Sequence, residues 1–148
     1  MAKAVFFLTD TRKHIIMNLH RFTKRRNTMV KRVVVAGCRY FNDYPTAKAF
    51  IEQAICELRE QYDLVFLSGD CAGADRLGER FAHENGFSVE HFPADWETYG
   101  KSAGPIRNRK MAEAADYVIC FWDGRSRGTA SMINHAKKLG KPVKVKLI

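Results

Sequence analysis

The chain has 148 residues, 46% of them hydrophobic and 28% charged, which fits one globular domain with a core of its own. Its net charge of +9 points at first to a nucleic-acid partner, but the excess is local. Residues 1–32 hold nine Lys/Arg against one acid, and the other 116 hold sixteen against fifteen. The basicity therefore belongs to an arm, and a nucleic-acid role is disfavoured except through that arm. No apolar run approaches the roughly 20 residues that cross a bilayer. The four cysteines (Cys38, Cys56, Cys71, Cys120) lack C-x-x-C spacing. The expectation is a cytoplasmic protein with reduced thiols, no membrane partner, no metal and no cofactor.

Residues 1–30 read as a basic N-terminal extension. The apolar stretch from Val5 to Leu8 is too short for a secretory signal, and Lys24 to Arg26 is a charge run. Met29 directly precedes the first strong strand pattern, so one expectation is a true start there, with 1–28 upstream of it. The alternatives are a flexible basic arm and a tail that contacts nucleic acid.

The domain is expected over 31–148. Val33-Val-Val-Ala36 is a β-branched run of the kind covered on both faces of a sheet. A loop from Gly37 to Tyr44 follows, and Pro45 opens a helix to about Tyr62, with Phe50, Ala54 and Leu58 on one face. Leu64 to Leu67 is a second buried strand. Ser68 to Ala74 turns the chain into a helix that carries Asp75 in its first turn and stops at Asn85-Gly86. Ser88 to Phe92 alternates like an edge strand, and Pro93 to Gly104 is a long loop with Trp96 and Tyr99. A helix from Pro105 to Ala115, a strand from Tyr117 to Trp122, a helix from Thr129 to Leu139 and a strand from Val143 to Leu147 complete the chain.

Buried strands alternating with helices imply right-handed βαβ crossovers. The predicted fold is a Rossmann-like α/β three-layer sandwich with a five-stranded parallel sheet of order 3-2-1-4-5. That order reverses between the first and fourth strands, where ligands bind beyond the strand C-termini. The loops at this point are Gly37-Cys38-Arg39 and Asp123 to Gly128, and the glycine loop 69–73 opens on the same edge.

The second of these loops passes from a strand into a helix through Gly124 and Gly128, which leaves first-turn N–H groups pointing at one spot. Arg125 and Arg127 sit there, and Arg107, Arg109 and Lys110 sit near the start of the preceding helix. Cations at helix starts are disfavoured by the dipole. An external anion between the two mouths removes the conflict, with Arg107 and Arg127 as its contacts.

Neither a G-x-G-x-x-G nor a P-loop is present, which disfavours dinucleotide redox chemistry and ATP hydrolysis. The histidines are scattered. Acids in the crevice are the candidates for any reaction: Asp70 and Asp123 as catalytic or ribose-binding groups, Asp75 as a cap. Trp96, Tyr99 and Trp122 are candidate platforms for a base.

Five motifs occur in order: Gly37-x-Arg39, Ser68-Gly-x-x-x-Gly-Ala-Asp75, Pro93-Ala-Asp-Trp96, Gly104-Pro-x-Arg-Asn-x-x-Met111 and Gly124-x-Ser-x-Gly-Thr129. In these the chain resembles the YspA-like branch of the SLOG superfamily, which also contains the LOG phosphoribohydrolases and the DNA-processing protein DprA. The resemblance implies a Rossmann-like domain that senses or processes a nucleotide or nucleotide-derived small molecule. The candidate ligand-binding set is Gly37, Arg39, Ser68, Gly69, Asp70, Gly73, Asp75, Trp96, Arg107, Asn108, Gly124, Ser126, Arg127, Gly128 and Thr129. LOG enzymes carry a Pro-Gly-Gly-x-Gly-Thr-x-x-Glu motif whose acid helps cleave the N-glycosidic bond. Here the matching place is Met132, which cannot do acid–base work. Nucleotide N-glycosidase activity thus stands as the alternative to binding, with nucleic-acid binding as a third reading and a homodimer as a possible assembly.

Overall fold

The computed structural model describes residues 29–148, and the expectations for the basic arm concern residues outside that range. The chain runs β1 (Val30–Gly37), α1 (Tyr44–Gln61), β2 (Asp63–Ser68), α2 (Ala74–Glu84), β3 (Ser88–His91), α3 (Trp96–Tyr99), α4 (Ala103–Ala114), β4 (Tyr117–Trp122), α5 (Arg127–Lys138) and β5 (Val143–Leu147). All four strand pairs are parallel, and the order is β3-β2-β1-β4-β5, the expected 3-2-1-4-5.

The central strands β1 and β4 alternate between two cores. Val33, Val35, Ile119 and Phe121 pack with α1 and α2, and Val34, Ala36, Val118 and Cys120 pack with α4 and α5. Both faces of these strands are therefore dry, which is why their sequence is apolar throughout. Burial in the second core pushes the Cys120 thiol up to about 12, so it stays a neutral packing group. The outer strands differ. The sequence pattern treats all five strands as buried or nearly buried, but Val145 and Leu147 of β5 are exposed, because at the sheet's edge only Val143 of this strand packs against the second core.

Helix ends follow local chemistry. Asp43 caps α1 by accepting from the Thr46 N–H at 3.1 Å and the Thr46 hydroxyl at 2.6 Å, with Pro45 in the first turn. The buried stripe of α1 is Ala47, Ile51 and Ile55, while Phe50, Ala54 and Leu58 flank it half-buried. The expected face was thus one residue out, because a wide apolar stripe leaves its centre ambiguous. The expected 93–104 loop contains α3, capped by Asp95 on the Thr98 N–H at 3.0 Å, and a 3-10 turn over Gly100–Ser102.

Two helices begin two residues earlier than expected, α4 at Ala103 and α5 at Arg127. For α4 this matters. Arg107, Arg109 and Lys110 lie beyond its first turn, where the dipole penalty has faded. Only α5 retains a cation at its first position.

Candidate functional site

At the C-terminal edge of β1 and β4 lies a cavity of about 310 Å³. It sits at the point where the strand order reverses, as doubly wound sheets lead one to expect. Its walls come from the loop after β1 (Gly37, Cys38, Arg39, Tyr40), the start of α2 (Asp75), Cys71, α4 (Arg107, Asn108, Met111) and α5 with its cap (Ser126, Gly128, Thr129, Met132).

Close backbone approach builds this edge. Gly73 has φ +79°, and a Cβ there would stand 2.3 Å from the Cys38 carbonyl oxygen. The Ala74 N–H donates to that same carbonyl, and the Cys38 N–H donates to the Phe121 carbonyl. Loops from β1, β2 and β4 are so pinned to one another. Phe41 stacks on Phe121 with ring centroids 4.9 Å apart and fixes the far end of the β1 loop.

Arg107 is the centre of the site and is buried. Its guanidinium donates to the Gly69 carbonyl, to Asn108 Oδ1 at 2.9 Å and to Cys71 Sγ at 3.4 Å. Asn108 in turn donates to the Gly128 carbonyl at 3.2 Å and so ties the arginine to the first turn of α5. A Cβ on Gly69 would lie 2.7 Å from Arg107 Nη1 and 2.9 Å from Asp75 Oδ2. A bare glycine is what lets the cation and the carboxylate close on one point.

The α5 mouth is partly filled by the protein's own groups. Asp123 Oδ1 accepts from the N–H groups of Arg125 at 2.8 Å and Ser126 at 2.7 Å, and its Oδ2 accepts from the Tyr40 hydroxyl at 2.7 Å. These donors hold the Asp123 carboxyl well below the usual carboxylate range, and the same contact raises the Tyr40 phenol. Asp123 is thus a permanently charged brace across the mouth. Ser126 caps α5 by accepting from the Thr129 N–H at 3.4 Å. The first-turn N–H groups of Arg127 and Gly128 have no partner inside the helix.

Of the residues singled out from the sequence, Gly37, Arg39, Asp75, Arg107, Asn108, Ser126, Gly128 and Thr129 line this one cavity. Ser68, Gly69, Asp70, Gly73, Trp96, Gly124 and Arg127 do not line it. Gly69 and Gly73 shape it from behind, and Trp96 is exposed and packs towards Gly104. Trp122 donates to the Ser126 carbonyl at 3.1 Å and braces the turn from inside. Asp70 turns away to His91. The sequence put the loops that carry Cys38 and Cys71 on this edge without singling out their side chains, and it did not single out Tyr40; all three line the wall. A second cavity of about 210 Å³ shares Arg107 with the first and is lined by His91, Phe92, Tyr99 and Lys110 among others.

A family model described as YspA, cpYpsA-related SLOG family matches residues 31–99. The gene 61 protein of Mycobacterium phage D29 is 38% identical over 120 residues, which span 77% of this chain and 94% of that protein. The chain belongs to the YspA, cpYpsA-related SLOG family. DNA processing protein A (DprA) of Streptococcus pneumoniae superposes with a TM-score of 0.61 at 21% identity, over 79% of this chain and 50% of that one. The protein TM1055 gives 0.55 at 24% identity, over 78% of this chain and 72% of that one. These two likenesses concern the fold, and the SLOG chain spans half the length of the DprA chain. Among the described residues no helix is long and apolar enough to cross a membrane.

Asp75 gives this SLOG domain a pH signature. Burial raises its pKa from 3.8 to about 6, against the lowering effect of Arg107 and of the N–H groups of Cys71 and Gly69. The folded pKa exceeds the unfolded one, so folding takes up a proton between these two values. Stability conferred by the neutral carboxyl is present below the unfolded pKa and is lost as pH rises through the folded one. Asp75→Asn keeps the acceptor for Gly69 and removes the titration. Relative to the parent, the variant is expected to gain roughly 2–3 kcal/mol between pH 4 and pH 7 in denaturant unfolding. A pH-independent difference would show that Asp75 does not titrate there.

Proposed function

We propose that the first cavity binds the phosphate of a nucleotide or nucleotide-derived small molecule, with its ribose or base directed to the 93–104 stretch. The observation that carries this reading is the convergence of Arg39, Arg107 and the first turn of α5 on one cavity. The uncommitted N–H groups of Arg127 and Gly128 and the dipole of a twelve-residue helix favour an anion there. The cavity falls within the size range of small-molecule sites, and membership of the SLOG family supports a nucleotide-like ligand. Tyr99 and Phe92 line the adjoining second cavity and offer apolar surface for a base.

Nucleotide N-glycosidase activity is the second reading, and one feature favours it. Asp75 is the carboxylate on the first cavity's wall, and its pKa of about 6 suits a proton donor near neutral pH. Asp123 stays charged and cannot donate a proton, and Asp70 lies off this wall. The buried Met132 fills the place of the LOG glutamate.

One experiment separates the readings. Calorimetry with purine and pyrimidine monophosphates is expected to give saturable binding that Arg39→Glu weakens at least tenfold, with the melting temperature unchanged because Arg39 is exposed. Chromatography of the same mixtures reads released base. Binding without release supports a sensor, release abolished by Asp75→Asn supports the hydrolase, and affinity indifferent to Arg39→Glu removes the proposed site.

A further inference from the structure

One strand away from the nucleotide cavity, three side chains from three elements converge on the rim of the sheet. His91 ends β3 and lies in register with Ser68, the last residue of β2. Asp70 follows in the next loop, in the left-handed region at φ 59°, with its N–H donating to Ser68 Oγ at 3.2 Å. Asp70 Oδ1 is 2.5 Å from His91 Nδ1. Glu79 comes up from α2, and the buried Ser68 hydroxyl donates to its Oε1 at 2.6 Å. Among the described residues, this is the one grouping whose imidazole nitrogen and two carboxylate oxygens all lie within 4.8 Å of one another.

We propose that Asp70, Glu79 and His91 form a binding site for a single divalent transition-metal ion of the nitrogen/oxygen-preferring kind, such as Mn²⁺ or Zn²⁺. One imidazole and two carboxylates match the donors such ions take. Donors about 2.1 Å from a common ion stand roughly 3–3.5 Å apart, so the cluster needs only side-chain adjustment. The two carboxylates already hold a cation. Arg76 Nη1 lies 2.9 Å from Glu79 Oε2 and 3.9 Å from Asp70 Oδ1. Arg76 Nη1 also donates to Glu79 Oε1 at 3.1 Å, but the Glu79 side chain is only 12% exposed and that of Arg76 55%, so the acid is the fixed member and the arginine the one that an ion can displace into water. A divalent ion would take over that compensating role and add His91, which a guanidinium cannot use as an electron-pair donor. The ion would stand at the wall of the second cavity, to which His91 belongs. It would also pin the loop whose Gly69 and Cys71 touch Arg107. The ligands lie nine and twelve residues apart on separate elements, so no sequence motif announces the site.

The test is titration of the full chain with Mn²⁺ alone, followed by electron paramagnetic resonance, and with Zn²⁺ alone by calorimetry. Mn²⁺ is included because it does not favour the thiols of the exposed Cys56 and half-buried Cys71. The expected result is one ion per chain, a melting temperature that rises with the ion, and at least tenfold tighter binding in Arg76→Gln. His91→Ala and Glu79→Gln, each placed in the Arg76→Gln background, are expected to abolish binding. Absence of one-to-one binding in Arg76→Gln would overturn the proposal and leave the cluster an ion-pair network. Binding that survives His91→Ala would overturn it equally.

Discussion

Arg107→Met is expected to destabilise the domain by about 3 kcal/mol and to weaken the proposed nucleotide binding at least tenfold, because one guanidinium serves both ends. The substitution keeps the aliphatic stem but strips donors from the Gly69 carbonyl, Asn108 and Cys71. A buried acceptor left without a partner costs about 1–3 kcal/mol. The buried Asp75 carboxylate loses the charge that offsets its desolvation, and breaking such a compensation costs about 3–5 kcal/mol when the acid stays charged. Protonation of Asp75 relieves part of that, which sets the expected total near the lower figure. Denaturant unfolding at pH 7.5 and calorimetry with a nucleoside monophosphate measure the two effects. A stability loss below about 1 kcal/mol would mean that the arginine is not wired into the loop as described.

From the sequence, Arg107 looks like a free cation at a helix mouth, whose removal should leave the fold intact. In the structure it is a buried strut, so loss of binding in an Arg107 variant cannot by itself separate contact from collapse. Arg39 makes the cleaner probe, since its side chain is exposed on the same cavity.

Gly73→Ala is expected to cost roughly 3–6 kcal/mol, from backbone strain and overpacking together. The residue sits at φ 79° and ψ −127°, a conformation L-residues rarely adopt. Its new methyl would also meet the Cys38 carbonyl oxygen at 2.3 Å and the Arg39 carbonyl carbon at 2.5 Å. Neither neighbour is a flexible side-chain tip, so the β1 and β2 loops must separate, and the cavity between them opens. Gly128→Ala is the matched control. A methyl group at that position would meet nothing within 4 Å, and alanine is favoured in a helix by about 0.5–1 kcal/mol. Equal unfolding midpoints for the two variants would contradict the close approach at Gly73.

The strands were legible because their chemistry is local. Val33 to Ala36 and Val118 to Phe121 are dry on both faces, and only a central parallel strand asks for that. The start of α1 was legible for the same reason, from Pro45, whereas its cap at Asp43 emerged only in the structure. The starts at Ala103 and Arg127 were missed because neither first turn opens on a distinctive residue. Ser102 precedes α4 without a side-chain cap bond, and α5 opens on an arginine that its dipole disfavours. The β5 edge was misjudged because alternation of Val and Lys does not reveal how many neighbours a strand has.

What the amino-acid order determined by itself is the alternation of strand and helix, hence the parallel sheet, and the rim on which its glycine loops gather. Periodicity and turn chemistry act over a few residues, and handed crossovers propagate them into one strand order. What only the tertiary structure decided is which side chains face one another on that rim. Arg107 meets Gly69 from 38 residues away, Tyr40 meets Asp123 from 83, and His91 meets Asp70 from 21. These pairings depend on where α4, the β1 loop and β3 come to rest once the cores are packed. A contact made by packing leaves no periodic trace along the chain.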